Sequence, residues 1–152
     1  MKELKFKTAI LLALLTCLAG ISSVSADTAI NTTYVIDTPG NYYLTDNITR
    51  TTTYAIEITC SDVVLDGQGY FIDGAGGGTS NFGIYANGVS NITIKNLNIW
   101  NFSTGYVGGT DIYFNNVNNS FITNNTLESM DWVKVLDWTI LTITTLQIIM
   151  QV

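Results

Sequence analysis

Among the side chains that could move protons in this 152-residue chain are the carboxylates Asp37, Asp46, Glu57, Asp62, Asp66, Asp73 and Asp111. Histidine is absent, which takes away the commonest general base, metal ligand and triad member. Of the acids, Asp62, Asp66 and Asp73 lie close enough in sequence to act together. Two of them stand in Asp66-Gly67 and Asp73-Gly74, however, and such pairs are the ordinary residues of tight turns. Hard cations take carboxylate and carbonyl oxygens, so Asp66 and Asp73 with the loop Gly74-Ala75-Gly76-Gly77-Gly78 are weak calcium candidates. Their spacing matches no known calcium loop. The expectation is therefore no catalytic residue, no resident metal and no cofactor.

Aromatic side chains offer a second chemistry, the stacking of amphipathic rings on sugars. Tyr70, Phe82, Tyr85, Trp100, Phe102, Tyr106, Tyr113 and Phe114 sit on or beside recurring positions, and Tyr85 and Tyr113 are equivalent in successive repeats. Tyr85, Trp100 and Tyr113 are the carbohydrate-contact candidates; the plainer reading is that such rings cover sheet surface. Glycosylation sequons stand at Asn31, Asn47, Asn91, Asn101 and Asn118, with a further one at Asn124 that reads as a corner residue. Cys60 is expected to be a buried structural thiol.

What must position these groups is a repeat. Ala55-Ile56-Glu57-Ile58 leading to Val63-Val64-Leu65-Asp66-Gly67 recurs as Gly83-Ile84-Tyr85-Ala86 leading to Ile92-Thr93-Ile94-Lys95-Asn96. It recurs again as Asp111-Ile112-Tyr113-Phe114 leading to Ser120-Phe121-Ile122-Thr123-Asn124. A period of about 28 residues, built of short strands and Asn/Gly turns, marks a stacked β-solenoid. Alternation as in Ile92-Thr93-Ile94 and Leu97-Asn98-Ile99 puts every second side chain on one face. Gly67, Asn96 and Asn124 stop the runs and tolerate the left-handed backbone of a corner. Asn side chains at equivalent corners are placed to hydrogen-bond up the stack. Ahead of the repeats, Tyr34-Val35-Ile36-Asp37 and Pro39-Gly40-Asn41-Tyr42-Tyr43-Leu44 read as an opening hairpin or a partial coil that closes the N-terminal end. Apolar residues at helical spacing are missing from the exported chain before Met130, so the expected fold is all-β, with about three coils over residues 55–129 and a cap or partial coil over 27–54.

The runs Pro-Gly-Asn-Tyr-Tyr-Leu (39–44), Ile-Glu-Ile-Thr-Cys-Ser-Asp-Val-Val-Leu-Asp-Gly-Gln-Gly-Tyr-Phe-Ile-Asp-Gly (56–74) and Ser-Asn-Ile-Thr-Ile-Lys-Asn-Leu-Asn-Ile (90–99) resemble the right-handed parallel β-helix repeat proteins. More narrowly, they look like the NosD-like and surface-layer or adhesin-like β-helix domains of archaea. The resemblance covers about residues 34–129 and implies the fold far more than an activity, because the same coil carries lyases, hydrolases, epimerases and inert surface proteins. It implies first a secreted or cell-surface module for adhesion, envelope structure or carbohydrate binding, without catalysis. The alternative is the N-terminal part of a polysaccharide-active lyase or hydrolase whose catalytic coils lie downstream. Copper, which a NosD-like protein suggests, finds only Cys60, Met130 and Met150 as soft ligands in the exported chain.

Lys2, Lys5 and Lys7, the apolar run over residues 9–19 and the small residues Val24-Ser25-Ala26 read as a secretory signal peptide over residues 1–26. An uncleaved anchor is the other reading, although the apolar run is short for a span. Leu15-Thr16-Cys17 fits a lipid-attachment signal poorly. Cleavage leaves eleven carboxylates against Arg50, Lys95 and Lys134, a net charge of −8. Such a surface repels nucleic acid and anionic membrane. The expected partners are polysaccharide or cell-envelope components, with no nucleic acid, and with membrane contact only through an uncleaved signal. Cys60 alone can form no internal disulfide.

From Met130 the texture changes: Asp131-Trp132-Val133-Lys134-Val135-Leu136-Asp137-Trp138 and the Thr/Ile/Leu run after it contain neither Asn nor Gly. Read one nucleotide upstream, the genetic code forces Gly, Leu and Gly into the slots of Asp131, Trp132 and Val133. It forces Leu and Asp into those of Trp138 and Thr139, and Asn or Asp into that of Ile148. The slots of Leu136 and Leu146 can be read as Ile, and with that choice the shifted text aligns with the preceding repeat at one constant step: Ile112 with the slot of Leu136, Ile122 with that of Leu146 and Asn124 with that of Ile148. The expectation is a frame slip near Ser129, with 130–152 an anomalous tail and the gene product continuing into further coils. A native C-terminal strand or cap is the alternative.

Overall fold

The computed structural model describes residues 26–76, 80–104, 107–128, 131–136 and 141–148, with side chains for 26–76, 80–102 and 109–128. The expected signal segment before Ala26, with Cys17, lies outside the described residues, as do Gly77, Gly78, Tyr106, Ser129, Met130, Trp138 and Met150. In chain order the strands are β1 (Thr28–Ile30), β2 (Tyr34–Ile36), β3 (Gly40–Leu44), β4 (Ile48–Thr49), β5 (Tyr54–Ile58), β6 (Val63–Asp66), β7 (Phe71–Asp73) and β8 (Phe82–Asn87). There follow β9 (Ile92–Lys95), β10 (Asn98–Trp100), β11 (Ser103–Thr104), β12 (Val107–Gly108), β13 (Thr110–Asn115), β14 (Ser120–Leu127), β15 (Asp131–Leu136) and β16 (Leu141–Ile148). Among the described residues there is no helix, so the chain is all-β.

Three parallel ladders organise these strands. The first runs β15-β13-β8-β5-β2. The second runs β1-β3-β6-β9 into the start of β14, and the third runs β4-β7-β10 into its end. β14 joins the last two: Phe121, Ile122 and Thr123 pair with β9, while Thr126 and Leu127 pair with β10. From β5 onward the chain visits first, second and third ladder in turn, through β5, β6, β7 and again through β8, β9, β10. β11 and β12 form a small antiparallel pair apart from them.

Register explains the repeat. Ile56, Ile84 and Ile112 are direct neighbours in the first ladder, and Leu65, Ile94 and Ile122 in the second. Ile48, Ile72, Ile99 and Leu127 form a third column that the sequence pattern showed only in part. All these side chains are buried. Each repeat alone would leave its inward row in water; stacking buries the columns against one another. β2, β3 and β4 pair in parallel with β5, β6 and β7, so no hairpin pairing joins them.

The corners divide the work between two devices. Asn96 and Asn124 adopt φ of 55° and 53°, as expected of left-handed corner residues, but Asn124 does not stop its run, since β14 continues through it to Leu127. Gly67 does not; there Gln68 and Gly69 carry the positive φ, because this turn runs from Asp66 to Phe71 where the next runs only from Lys95 to Asn98. Gly67 is needed for room instead, since a Cβ would lie 2.6 Å from the Asn96 carbonyl oxygen and from Leu97. Cys60 is half-buried rather than buried: it packs beside the core and its Sγ lies 3.7 Å from the Ile36 carbonyl oxygen.

Candidate functional site

The acids that sequence brings together are separated by the fold. Asp66 ends β6 in the second ladder and Asp73 ends β7 in the third. Asp66 Oδ1 accepts the Gln68 amide at 3.0 Å and Asn96 Nδ2 at 3.0 Å, while its Oδ2 lies 3.2 Å from Lys95 Nζ. Asp73 Oδ1 accepts the Ala75 amide at 2.8 Å and Asn101 Nδ2 at 2.8 Å. Asp62 likewise accepts Asn91 Nδ2 at 2.6 Å. All three therefore tie their place in the coil to the next repeat, and Asp66 and Asp73 also close their own turns. Among the described residues no group of three His, Cys, Asp or Glu that could hold a metal ion is found, and the calcium candidates Asp66 and Asp73 end strands on different ladders. Gly77 and Gly78 of the suggested loop lie outside the described residues.

The asparagine ladder continues upward, with Asn124 Nδ2 donating to Asn96 Oδ1 at 2.6 Å. Of the sequons, Asn91, Asn101 and Asn124 thus use their Nδ2 donors within the stack. Asn31 and Asn47 are exposed, Asn47 accepting the Phe71 amide through Oδ1. Asn118 is half-buried and bridges to Ser90.

Two acids meet other environments. Glu57 stands on the outward column of the first ladder, beside Tyr85 and followed by Tyr113. Asp111 is fully buried, in the column of Ala55 and Gly83, and its Oδ2 accepts the Glu128 amide at 3.0 Å. Sequence marks Asp111 only as one acid among several. The signal available was its place: the preceding repeats have Ala55 and Gly83, both small, in that slot.

The aromatic candidates fall on two ladders. In the first, Tyr54, Tyr85 and Tyr113 form a continuous stack, with centroids 4.5 Å apart for Tyr54–Tyr85 and 5.5 Å for Tyr85–Tyr113. Because β5 and β13 flank β8 on opposite sides, both faces of the Tyr85 ring are covered. Phe82 closes the cluster edgewise, 4.8 Å from Tyr113 and 5.6 Å from Tyr85. Burial first, then the neighbouring Tyr54, Tyr113 and Glu57, push the Tyr85 phenol above its ordinary pKa. Trp100 is elsewhere, on the third ladder, 36% exposed and backed on one side by Phe71 with centroids 4.5 Å apart. Sequence could not separate these cases, because ring contacts across strands depend on register.

The basic groups with described side chains are occupied. Arg50 donates through Nε and Nη2 to the Gly74 carbonyl oxygen at 3.1 and 3.0 Å and through Nη1 to that of Thr52 at 2.6 Å. Lys95 pairs with Asp66. Burial, then Asp37 and Asp62, push the Cys60 thiol above its ordinary pKa, which favours the unreactive protonated form. No helix among the described residues is long and apolar enough to cross a membrane. Comparison with protein-family models, with curated proteins and with solved structures returned no match.

Proposed function

We propose that the chain is a right-handed parallel β-helix and that it serves as a secreted or cell-surface module, non-catalytic, in adhesion, envelope structure or carbohydrate binding. The ordered visits to three parallel ladders and the in-register apolar columns support the coil. The observation that carries the functional reading is the use of polar side chains. Asp62, Asp66 and Asp73 each bind an Asn about one repeat further on, which makes the acids part of the scaffold. A catalytic pair would instead flank a bond to be broken, one carboxyl on either side of it.

Export is supported by the residue pattern over positions 1–26. The test expresses the full chain from its own start codon in an exporting host and determines its location and N-terminus by mass spectrometry. The expected product begins at Asp27 and is found in the medium or the envelope. A cytosolic product that retains Met1 would sink the reading. Release of reducing ends or unsaturated sugars from polysaccharide by that product would favour the enzymatic alternative.

A further inference from the structure

Resting on the carbohydrate-binding form of that reading, we infer that the glycan contact is Trp100 on the third ladder, not the tyrosine stack, and that its ligand is a neutral polysaccharide. A ring that holds a sugar needs a free face. Tyr85 has none, since Tyr54 and Tyr113 lie on either side of it, and Tyr113 has Tyr85 against one face and Lys134 of β15 in register on its other side. Trp100 is backed by Phe71 on one side, which fixes the indole without enclosing it, and it stays among the exposed large apolar side chains.

The neighbours of Trp100 decide the ligand's charge. Asp73 is its register partner in β7. On the other side, Glu128 follows Leu127, the register partner of Ile99, and so takes the position next to Trp100 on the neighbouring strand. The Asp73 carboxylate keeps one oxygen, Oδ2, outside the hydrogen bonds that hold Oδ1 to Ala75 and Asn101. The Asp73 carboxylate beside the indole can accept a hydrogen bond from a sugar hydroxyl and repels uronate or sulfate groups. Arg50, the cation of this ladder, is engaged by Gly74 and Thr52, and Lys95 by Asp66. Lys134 lies in register with Tyr113, on the first ladder.

Native affinity electrophoresis of the full exported chain through gels containing soluble β-glucan, mannan or polygalacturonate tests this. Retardation is expected in at least one neutral gel and not in polygalacturonate. Trp100→Ala should weaken that retardation by about tenfold or more, with Trp100→Phe intermediate, because a stacked ring loses its contact area. Phe121→Ala, at an exposed ring on the second ladder, should leave it unchanged. Urea unfolding of each variant verifies that the fold persists. Stronger retardation by polygalacturonate, or loss of binding in Tyr113→Ala with Trp100→Ala unaffected, overturns the inference while leaving carbohydrate binding intact. No retardation in any gel overturns both.

Discussion

At the scale of single residues, the corners decide most. Asn96 holds a left-handed φ, donates to Asp66 and accepts from Asn124. Asn96→Ala removes both hydrogen bonds and puts a residue intolerant of that backbone in its place; we expect a loss of about 2–4 kcal/mol. Asn96→Gly keeps the backbone and loses only the amide, so urea denaturation should show about half that loss or less. Equal losses would mean that the left-handed backbone contributes nothing. Asp66 adds a pH dependence. Burial acts to raise its carboxyl, but hydrogen bonds from Asn96 and the Gln68 amide, together with Lys95, outweigh it and hold the folded-state pKa below the ordinary 3.8. A depressed pKa stabilises fully above the unfolded value, and the contribution disappears as the pH falls through the folded one. Urea midpoints measured from about pH 7 down to about pH 2 should therefore fall less steeply below ~4 in Asp66→Asn than in the parent. Parallel curves would remove Asp66 from the acid limb.

At the scale of elements, the first ladder is held outside as well as inside. Ile56, Ile84 and Ile112 fill its inward face, and Tyr54, Tyr85 and Tyr113 stack along its outward one. Tyr85→Ala breaks the stack in the middle, and chemical denaturation should register a loss of about 1–3 kcal/mol from lost ring pairs and contact area. Phe121→Ala, whose ring has no aromatic partner among the described residues, should stay within about 0.5 kcal/mol of the parent. Similar losses for both would show that ring stacking is incidental. The inward columns were legible in the sequence because a buried face leaves a strict alternation of apolar and polar residues along each strand. The outward stack was legible only as equivalent positions, Tyr85 and Tyr113. Tyr54 joins it from the slot in register with Phe82, while Glu57 holds the slot in register with Tyr85, and spacing does not reveal such a diagonal. The corner asparagines were readable for the same reason as the columns: they recur. Gly67 was misread because the inserted Gln68 and Gly69 take over the positive φ.

At the scale of the whole molecule, the question is the coil beyond β14. The amino acids as they stand place β15 beside β13 and β16 along β14 in parallel, with Ile112 opposite Val133 and Ile122 opposite Ile143. The step from Ile112 to Val133 is shorter than the one from Ile84 to Ile112. It nearly equals the step from Tyr34 to Ile56 at the other end of the stack. The difference resides in the connection from the third ladder back to the first: residues 50–53 join β4 to β5 and 128–130 join β14 to β15, whereas 101–109 join β10 to β13. Length alone therefore does not separate a native last coil from a slipped frame. Composition favours the slipped frame, because the corners that hold the earlier coils use Asn and Gly, and residues 130–152 contain neither. A coil without them forgoes the side-chain ladder from Asp66 through Asn96 to Asn124. It also ends the stack on a Thr/Ile/Leu run of low charge without proline, the composition of an aggregating edge. We therefore predict that sequencing the gene across the codons for Leu127 to Gln151 finds one inserted or deleted nucleotide. Correcting it puts Asn or Asp at the slot of Ile148, the one that aligns with Asn124, and opens into further repeats. An uninterrupted frame across those codons would make β15 and β16 native strands of this chain.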